Sequence, residues 1–155
     1  MIEAWRLVKA RHADNAFDGQ GARRFGGRWN AAGTACVYLA DSLPLAALEL
    51  FIHLGAEGFA ISFVSFRVLI PPEAVEALDV AGLPGDWRAN PPGPQVQALG
   101  SQWLRAGRSA ALKVPSALMP LGAGFNYLLN PAHADHARLG VQDPLPFHFD
   151  PRMWK

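Results

Sequence analysis

Residues 26–54 constrain the fold of this chain more than any other stretch, because they combine a glycine loop (GGRWN), a short apolar segment (ACVYLA) and a nearly uncharged helix (DSLPLAALELFIHL). From Leu45 to Leu54 every residue is apolar except Glu49 and His53. A helix that is apolar on all sides is typical of a protein interior. A glutamate in such a place needs a partner, since burial disfavours the charged carboxylate. The sequence therefore predicts a buried helix whose single carboxylate pairs with a cation.

Arg28, which ends the glycine loop 21 residues before Glu49, is the natural partner. A carboxylate in an apolar element beside an arginine on a neighbouring loop is typical of an active site, where burial and charge act on the same group. The same pair also fits a structural ion pair that holds the loop to the helix. The residues alone leave both interpretations open.

Composition favours an ordered chain that is not specialised for nucleic acid. The 155 residues predict one domain, 1–155, large enough to bury a core, and half of them are hydrophobic. Thirteen prolines and fifteen glycines predict many turns and little long helix. The net charge of +1 and the lack of a Lys/Arg run argue against direct nucleic-acid binding.

Cys36 is the single cysteine, so an internal disulfide is excluded and a reducing compartment is favoured. We interpret Cys36 as a small buried hydrophobe. The first residues lack the pattern of a signal peptide, and no apolar run reaches the ~20 residues of a membrane span. We therefore expect a soluble cytoplasmic protein without membrane contact. The scattered histidines predict no metal site.

Periodicity predicts interleaved strands and helices without a regular βαβ alternation. This favours an α+β domain with a mixed or antiparallel sheet and flanking helices. The predicted strands are 2–8, 35–40, 59–70, 110–114 and 146–149. One predicted helix is capped by Asp41 or Ser42 and has Pro44 in its first turn, and a second is predicted over 95–106. Loops are expected at 10–28 and 82–94, and a turn at 126–131.

Two of these loops differ in their content. The loop at 10–28 combines glycines with Arg11, Arg23, Arg24 and Arg28, which suits a phosphate because backbone N–H groups and guanidinium groups both bind it. It lacks the Gly-Lys-Ser/Thr ending of a P-loop, so it predicts an anion-binding loop and nothing narrower. The connection at 82–94 matches no motif and carries no functional prediction. On the first strand, Arg6 fits a solvated charge on an edge strand.

Several segments together resemble the RES-domain toxins, the enzymatic half of RES–Xre toxin–antitoxin modules, a family named for an arginine, a glutamate and a serine. They occur in family order and span nearly the whole chain. The matching segments are Trp5-Arg6, GGRWN at 26–30, Tyr38, Leu48-Glu49, Val114-Pro115-Ser116 and NYLLNPAH at 126–133.

The resemblance implies an enzyme that consumes NAD and has a fold similar to ADP-ribosyltransferase toxins. Arg28 and Arg6 would then bind the pyrophosphate, and Tyr38 would give the nicotinamide ring an aromatic platform. Glu49 would stabilise the positive charge that develops on the ribose as the nicotinamide leaves. The resemblance also assigns to Ser116 a hydrogen bond to the nicotinamide amide or the ribose. On the same resemblance, Asn126 would either hold the loop or touch the substrate.

The same resemblance predicts NAD as the substrate, no metal, and a cognate Xre-like antitoxin that occludes the active site. Three acceptors for the ADP-ribose stay open: water, phosphate or a protein side chain. Mono-ADP-ribosylation of a specific protein is therefore an alternative to NAD degradation. A non-catalytic module that only binds NAD is a further alternative, although the joint presence of Arg28, Tyr38 and Glu49 argues against it.

Overall fold

A single mixed sheet forms the centre of the protein in the computed structural model, which describes residues 1–154. Its strands are β1 (Ile2–Lys9), β2 (Val37–Ala40), β3 (Phe63–Ile70), β4 (Val75–Ala77), β5 (Ala111–Pro115), β6 (Phe125–Leu129), β7 (Gly140–Val141) and β8 (Leu145–Phe147). The strand order is β4-β5-β6-β2-β1-β3-β7, and β8 pairs with a further part of β3. Only β4 and β5 pair in parallel within these residues. The predicted α+β class with a mixed sheet is confirmed.

The first strand lies inside the sheet and not at its edge. It pairs with β3 without interruption from Ile2 opposite Ile70 to Lys9 opposite Phe63, and it pairs with β2 on its other side. The interpretation of Arg6 as a solvated edge charge is therefore wrong. A polar side chain on an interior strand must either reach a cleft or find partners within the fold.

Three α-helices flank the sheet: α1 (Gln20–Phe25), α2 (Leu43–Phe51) and α3 (Pro94–Ala106). The start of α2 is as predicted, because the Ser42 side chain accepts a hydrogen bond from the Leu45 amide at 3.2 Å and Pro44 occupies the first turn. The start of α3 is also confirmed to within one residue. The loop predicted at 10–28 is wrong in part, since it contains a 3₁₀ helix (Ala10–Asn15) as well as α1.

The turn predicted at 126–131 is wrong, because this segment contributes most of β6. Tyr127, Leu128 and Leu129 are all buried, and β6 is paired on both sides, with β5 and β2. The asparagines at its two ends suggested a turn, but the apolar residues between them decide the structure. The predicted strand at 59–70 is shorter, since Ala56–Ala60 forms a 3₁₀ helix.

The two longer helices cover different parts of the sheet. Val96, Trp103 and Leu104 of α3 pack with residues of β5 and β6, whereas Leu45 and Ala46 of α2 pack with residues of β1 to β3. The prediction that α2 is buried on all sides is wrong, because Leu48 is 39% exposed and Ile52, the residue after the helix, is 55% exposed. No helix within residues 1–154 is long and apolar enough to cross a membrane.

Candidate active site

Most of the predicted site residues line one large open cleft. Its volume is about 1260 Å³, and its lining includes Arg6, Arg28, Tyr38, Glu49 and Asn126. Typical sites for drug-sized ligands measure ~300–1,000 Å³, so this cleft has room for a larger, extended molecule. Residues that are far apart in the chain thus meet at one place because β1, β2, α2 and β6 all border it.

Glu49 is held in place by a buried serine. The Ser116 hydroxyl donates to Oε1 of Glu49 at 2.7 Å, and Ser116 is only 1% exposed. The same hydroxyl oxygen accepts a hydrogen bond from the Leu118 amide at 3.2 Å. Hydrogen bonds to a carboxylate are stronger than those between neutral groups, so this contact fixes the direction of the Glu49 side chain. Ser116 contacts Glu49, and whether it also touches a substrate stays a prediction.

Arg28 does not form an ion pair with Glu49. The ion pairs within residues 1–154 all lie elsewhere, and Nη1 of Arg28 instead donates to the carbonyls of Trp87 at 2.9 Å and Ala89 at 2.8 Å. Burial lowers the pKa of Arg28, and the negative charge of Glu49 opposes this lowering from a distance. The interpretation of the two as a structural ion pair is therefore wrong.

The Arg28 guanidinium keeps donors for a ligand. A guanidinium has five N–H bonds, of which Nη1 supplies two. Both are used by the carbonyls of Trp87 and Ala89, so the three on Nε and Nη2 remain. A planar group with adjacent donors matches a carboxylate or a phosphate. Arg28 can therefore be tied to the protein and still bind an anion.

Arg6 also lines the cleft and lacks a carboxylate partner within residues 1–154. It donates through Nε to the Ala16 carbonyl at 2.6 Å and through Nη1 to the Tyr38 carbonyl at 2.9 Å. Burial lowers the pKa of Arg6 to about 10, while the charge of Asp18 acts in the opposite direction. Carbonyl dipoles compensate a buried charge only in part, so an anion bound nearby would be stabilised.

Tyr38 lines the cleft, but its hydroxyl is engaged within the protein. The hydroxyl donates to Oδ1 of Asn30 at 2.5 Å and accepts a hydrogen bond from the Trp29 amide at 3.1 Å. Burial raises the pKa of Tyr38 well above its usual range. The hydroxyl is thus fixed and protonated, which excludes it as a general base. Asn30 is itself fully buried and donates to the carbonyls of Ala22 and Thr34.

The glycine loop packs closely against Tyr38 and α3. A Cβ on Gly27 would lie 2.5 Å from the Tyr38 hydroxyl, so any larger residue would displace that side chain. On the other side, a Cβ on Gly100 of α3 would lie 1.8 Å from the carbonyl oxygen of Trp29. Gln97, one turn earlier on α3, donates to the Gly27 carbonyl at 2.9 Å. The sequence motif GGRWN therefore reflects close packing of the loop against Tyr38 and α3.

The connection at 82–94 forms part of the cleft wall, which the sequence reasoning missed. Arg88, Asn90, Pro91 and Pro92 line the cleft, and the buried Trp87 packs against Trp29 with ring centroids 6.0 Å apart. A tryptophan within a stretch rich in glycine and proline was the available signal, because a large aromatic residue in a loop is usually anchored.

Asn126, His53 and Cys36 also lie at or beside the cleft. The Asn126 side chain donates to the Leu39 carbonyl at 3.2 Å, beside the cleft. His53, one turn after Glu49, also lines the cleft and was not predicted as a site residue. Cys36 is buried, as predicted, and burial raises its pKa to about 12. Its thiol therefore stays protonated at neutral pH and is a poor nucleophile.

The chain resembles known proteins over almost its whole length. A protein in Photorhabdus laumondii named Toxin Res is 35% identical over 152 residues, covering 97% of this chain and 96% of that protein. A protein in a Sphingobium species named Prs ADP-ribosylating toxin is 37% identical over 154 residues, covering 96% and 94% of the two chains.

The fold is also known from a solved structure. The crystal structure of the M. tuberculosis MbcT–MbcA toxin–antitoxin complex contains a chain that superposes with a TM-score of 0.75, at 22% identity, over 97% of this chain and 85% of that one. Such a likeness shows the fold. Residues 3–150 match the family model described as the RES domain. The chain therefore belongs to the RES-domain family.

Proposed function

We propose that this protein is the toxin of a toxin–antitoxin pair and that it cleaves NAD at the bond between nicotinamide and ribose. One observation carries the proposal: the cleft holds an anchored carboxylate, Glu49, together with Arg6 and Arg28, which no carboxylate in residues 1–154 neutralises through an ion pair. NAD presents a matching pair of features, an anionic pyrophosphate and a cationic nicotinamide ring bonded to ribose. The names of the Photorhabdus and Sphingobium relatives support the toxin assignment.

The chemistry requires a fixed negative charge near the ribose carbon. When the carbon–nitrogen bond breaks, its electron pair goes to the nicotinamide nitrogen, which leaves neutral, and positive charge develops on the ribose. Glu49 stabilises that charge more in the transition state than in the ground state, which is the condition for catalysis. An acceptor then bonds to the ribose carbon and gives up a proton, for which Glu49 is the candidate base. Arg28 and Arg6 bind the pyrophosphate, and Tyr38 offers its ring to the nicotinamide.

The acceptor decides between two activities. Water or phosphate as acceptor gives NAD degradation, whereas a protein side chain gives mono-ADP-ribosylation. The name of the Sphingobium relative, Prs ADP-ribosylating toxin, favours the second as the alternative function. In either case NAD is the substrate and the cytoplasm, where NAD is abundant, is the expected location. A module that binds NAD without turnover needs no anchored carboxylate, so Glu49 argues against it.

We propose further that an Xre-like antitoxin inhibits the protein by occupying the cleft. Leu48, Ile52 and Leu118 are exposed apolar residues, and the last two line the cleft. Apolar groups at the border of a charged cleft suit a protein segment that covers it. The M. tuberculosis structure is that of a toxin–antitoxin complex, which is consistent with such a partner. NAD at saturating concentration should then compete with antitoxin binding, and a complex that cleaves NAD at the free-enzyme rate would refute occlusion.

Product analysis tests the activity directly. Purified protein is incubated with NAD in four samples, with and without phosphate and with and without cell lysate. Release of nicotinamide together with ADP-ribose, with a phosphorylated ADP-ribose, or with a labelled protein identifies the acceptor as water, phosphate or protein. Intact NAD in all four samples would refute the proposed function.

A further inference from the structure

Two arginines attach the connection at 82–94 to both sides of the cleft. From the first side, Arg28 of the glycine loop reaches the carbonyls of Trp87 and Ala89. These bonds run from a side chain to the backbone, so they fix the path of the connection whatever side chains it carries. The connection itself is tightened by two turns, in which the Trp87 amide bonds to the Pro84 carbonyl and the Ala89 amide to the Asp86 carbonyl.

Arg88 makes the attachment on the second side. Its Nη1 donates to the carbonyl of Ala117 at 3.0 Å and to that of Met119 at 2.7 Å. The guanidinium also lies over the ring of Trp87, 4.5 Å from the centroid. Bonds from a cation to carbonyls are stronger than neutral ones, and stacking on an aromatic face adds to them. Arg88 is therefore held in one position although it is exposed.

The segment that Arg88 contacts begins with the serine that holds Glu49. Ser116 accepts hydrogen bonds from the amides of Leu118, at its hydroxyl, and Met119, at its carbonyl. Residues 116–119 thus form a tight turn. Arg88 bonds to two carbonyls of this turn, and the Ser116 hydroxyl at its start donates to Glu49.

We propose that Arg88 is a positioning residue, which sets the place of Glu49 relative to Arg28 by joining the 116–119 turn to the connection at 82–94. The proposal rests on the function proposed above, since it concerns the geometry of that site. Arg28 and Glu49 do not touch, and the path of contacts between them runs through Trp87, Arg88 and Ser116. A shift of about 1 Å in a catalytic group can cost ~100-fold in rate, so such a link has a measurable effect.

Steady-state kinetics of NAD cleavage give the first test. Arg88→Ala removes both carbonyl bonds and leaves every group of the proposed machinery present, so kcat should fall by about tenfold to a hundredfold while KM changes by less than about threefold. Arg105→Ala is the matched control, because Arg105 is exposed on α3 and makes no side-chain bond within residues 1–154. The control should keep the wild-type kcat. An unchanged kcat in Arg88→Ala would overturn the proposal.

A double-mutant cycle shows whether Arg88 acts through Ser116. Ser116→Ala breaks the bond to Glu49, so after that change the turn no longer transmits its position to the carboxylate. The double variant Arg88→Ala/Ser116→Ala should therefore lose little more kcat than the worse single variant. Losses that multiply would mean that Arg88 and Ser116 act independently, and the proposed path would be wrong.

Hydrogen exchange tests the link without reference to any activity. In Arg88→Ala, but not in Arg105→Ala, the amides of Leu118 and Met119 should exchange faster because their turn loses its attachment. If the wild-type protein cleaves no NAD, the proposed function fails, and the catalytic role of Arg88 fails with it. If the wild-type protein cleaves NAD but these amides exchange at an unchanged rate, the function stands and the positioning role of Arg88 is wrong.

Discussion

The glycine loop at 26–30 and the connection at 82–94 border the same cleft, but they keep their shapes in different ways. The glycine loop is held by side-chain hydrogen bonds and by close packing. Asn30 donates to the Ala22 carbonyl and accepts from the Tyr38 hydroxyl, and α3 approaches the loop closely at Gly100. The connection is held by two guanidinium groups. Arg28 of the glycine loop donates to carbonyls of the connection, and Arg88 of the connection donates to carbonyls of the 116–119 turn.

This difference explains why the glycine loop has a recognisable sequence motif and the connection at 82–94 has none. Glycine at a close approach allows no substitute, so the loop has a fixed pattern of residue types. Bonds to backbone carbonyls need no particular side chain at the accepting residue, so the connection carries little pattern of its own. A loop without a motif can still form part of a site wall when other residues bind its backbone.

The largest expected effect concerns the contact between the two regions. Trp29 of the loop and Trp87 of the connection are both buried and lie against each other. Replacing either by alanine should lower the free energy of unfolding by about 3–5 kcal/mol, because a large aromatic residue leaves a cavity. Urea unfolding followed by circular dichroism measures this. A cost near zero for Trp87→Ala alone would reduce the connection to a surface loop.

The packing of the glycine loop against α3 gives the next effect. Gly100→Ala places a methyl group against the Trp29 carbonyl oxygen, 1.8 Å away, so either the helix or the loop must move. We expect a loss of about 1–3 kcal/mol in the free energy of unfolding. Gly21→Ala in α1 is the matched control, since its Cβ would meet nothing within 4 Å. Equal stability of the two variants would contradict the close packing.

Measurements of NAD affinity distinguish the proposed role of Arg28 in binding NAD from its structural role in holding the connection at 82–94. In a Glu49→Gln background, in which turnover is expected to be slow, Arg28→Ala should weaken NAD binding by about tenfold to a hundredfold through loss of charged hydrogen bonds. Arg28→Lys should recover little of this, because an ammonium cannot bond to two carbonyls and a pyrophosphate with the same geometry. Isothermal titration calorimetry measures the affinities. An unchanged affinity in Arg28→Ala would leave Arg28 with the structural role alone.

The smallest effect is expected at Cys36, which borders the cleft but belongs to neither region. Since burial raises its pKa to about 12, the folded protein should not react with a disulfide reagent at pH 8, whereas the urea-unfolded chain should react at once. Between the pKa of an unfolded thiol and about 12, the folded state holds the proton more tightly, so this group lowers stability as the pH rises. Rapid labelling of the native protein would contradict the burial.

Much of the fold and most of the cleft could be predicted from the sequence. Regular periodicity predicts most of the strands and helices, and the family resemblance groups Arg28, Tyr38 and Glu49 in one site. The partners of those residues could not be predicted. Arg28 bonds to backbone carbonyls in place of Glu49, and Glu49 bonds to Ser116, because these choices depend on how distant segments pack.

The wrong predictions for residues 126–131 and for α2 also arise because the structure depends on how distant segments pack. Residues 126–131 contain two turn-forming asparagines, Asn126 and Asn130, yet pairing on two sides makes most of the segment a strand. Apart from Glu49 the helix α2 is apolar, yet Leu48 and the next residue after the helix, Ile52, are exposed, which no local rule predicts. An exposed apolar face is instead the expected mark of a partner.

The central claim is that Glu49 is the catalytic carboxylate of an NAD-cleaving site, and the turnover of NAD by Glu49→Gln tests it most directly. Glutamine keeps the shape and can still accept the Ser116 hydrogen bond, but it removes the negative charge. We expect NAD affinity to stay near that of the wild type and the rate of nicotinamide release to fall by about 10²–10³. A Glu49→Gln protein that releases nicotinamide at the wild-type rate would contradict the account.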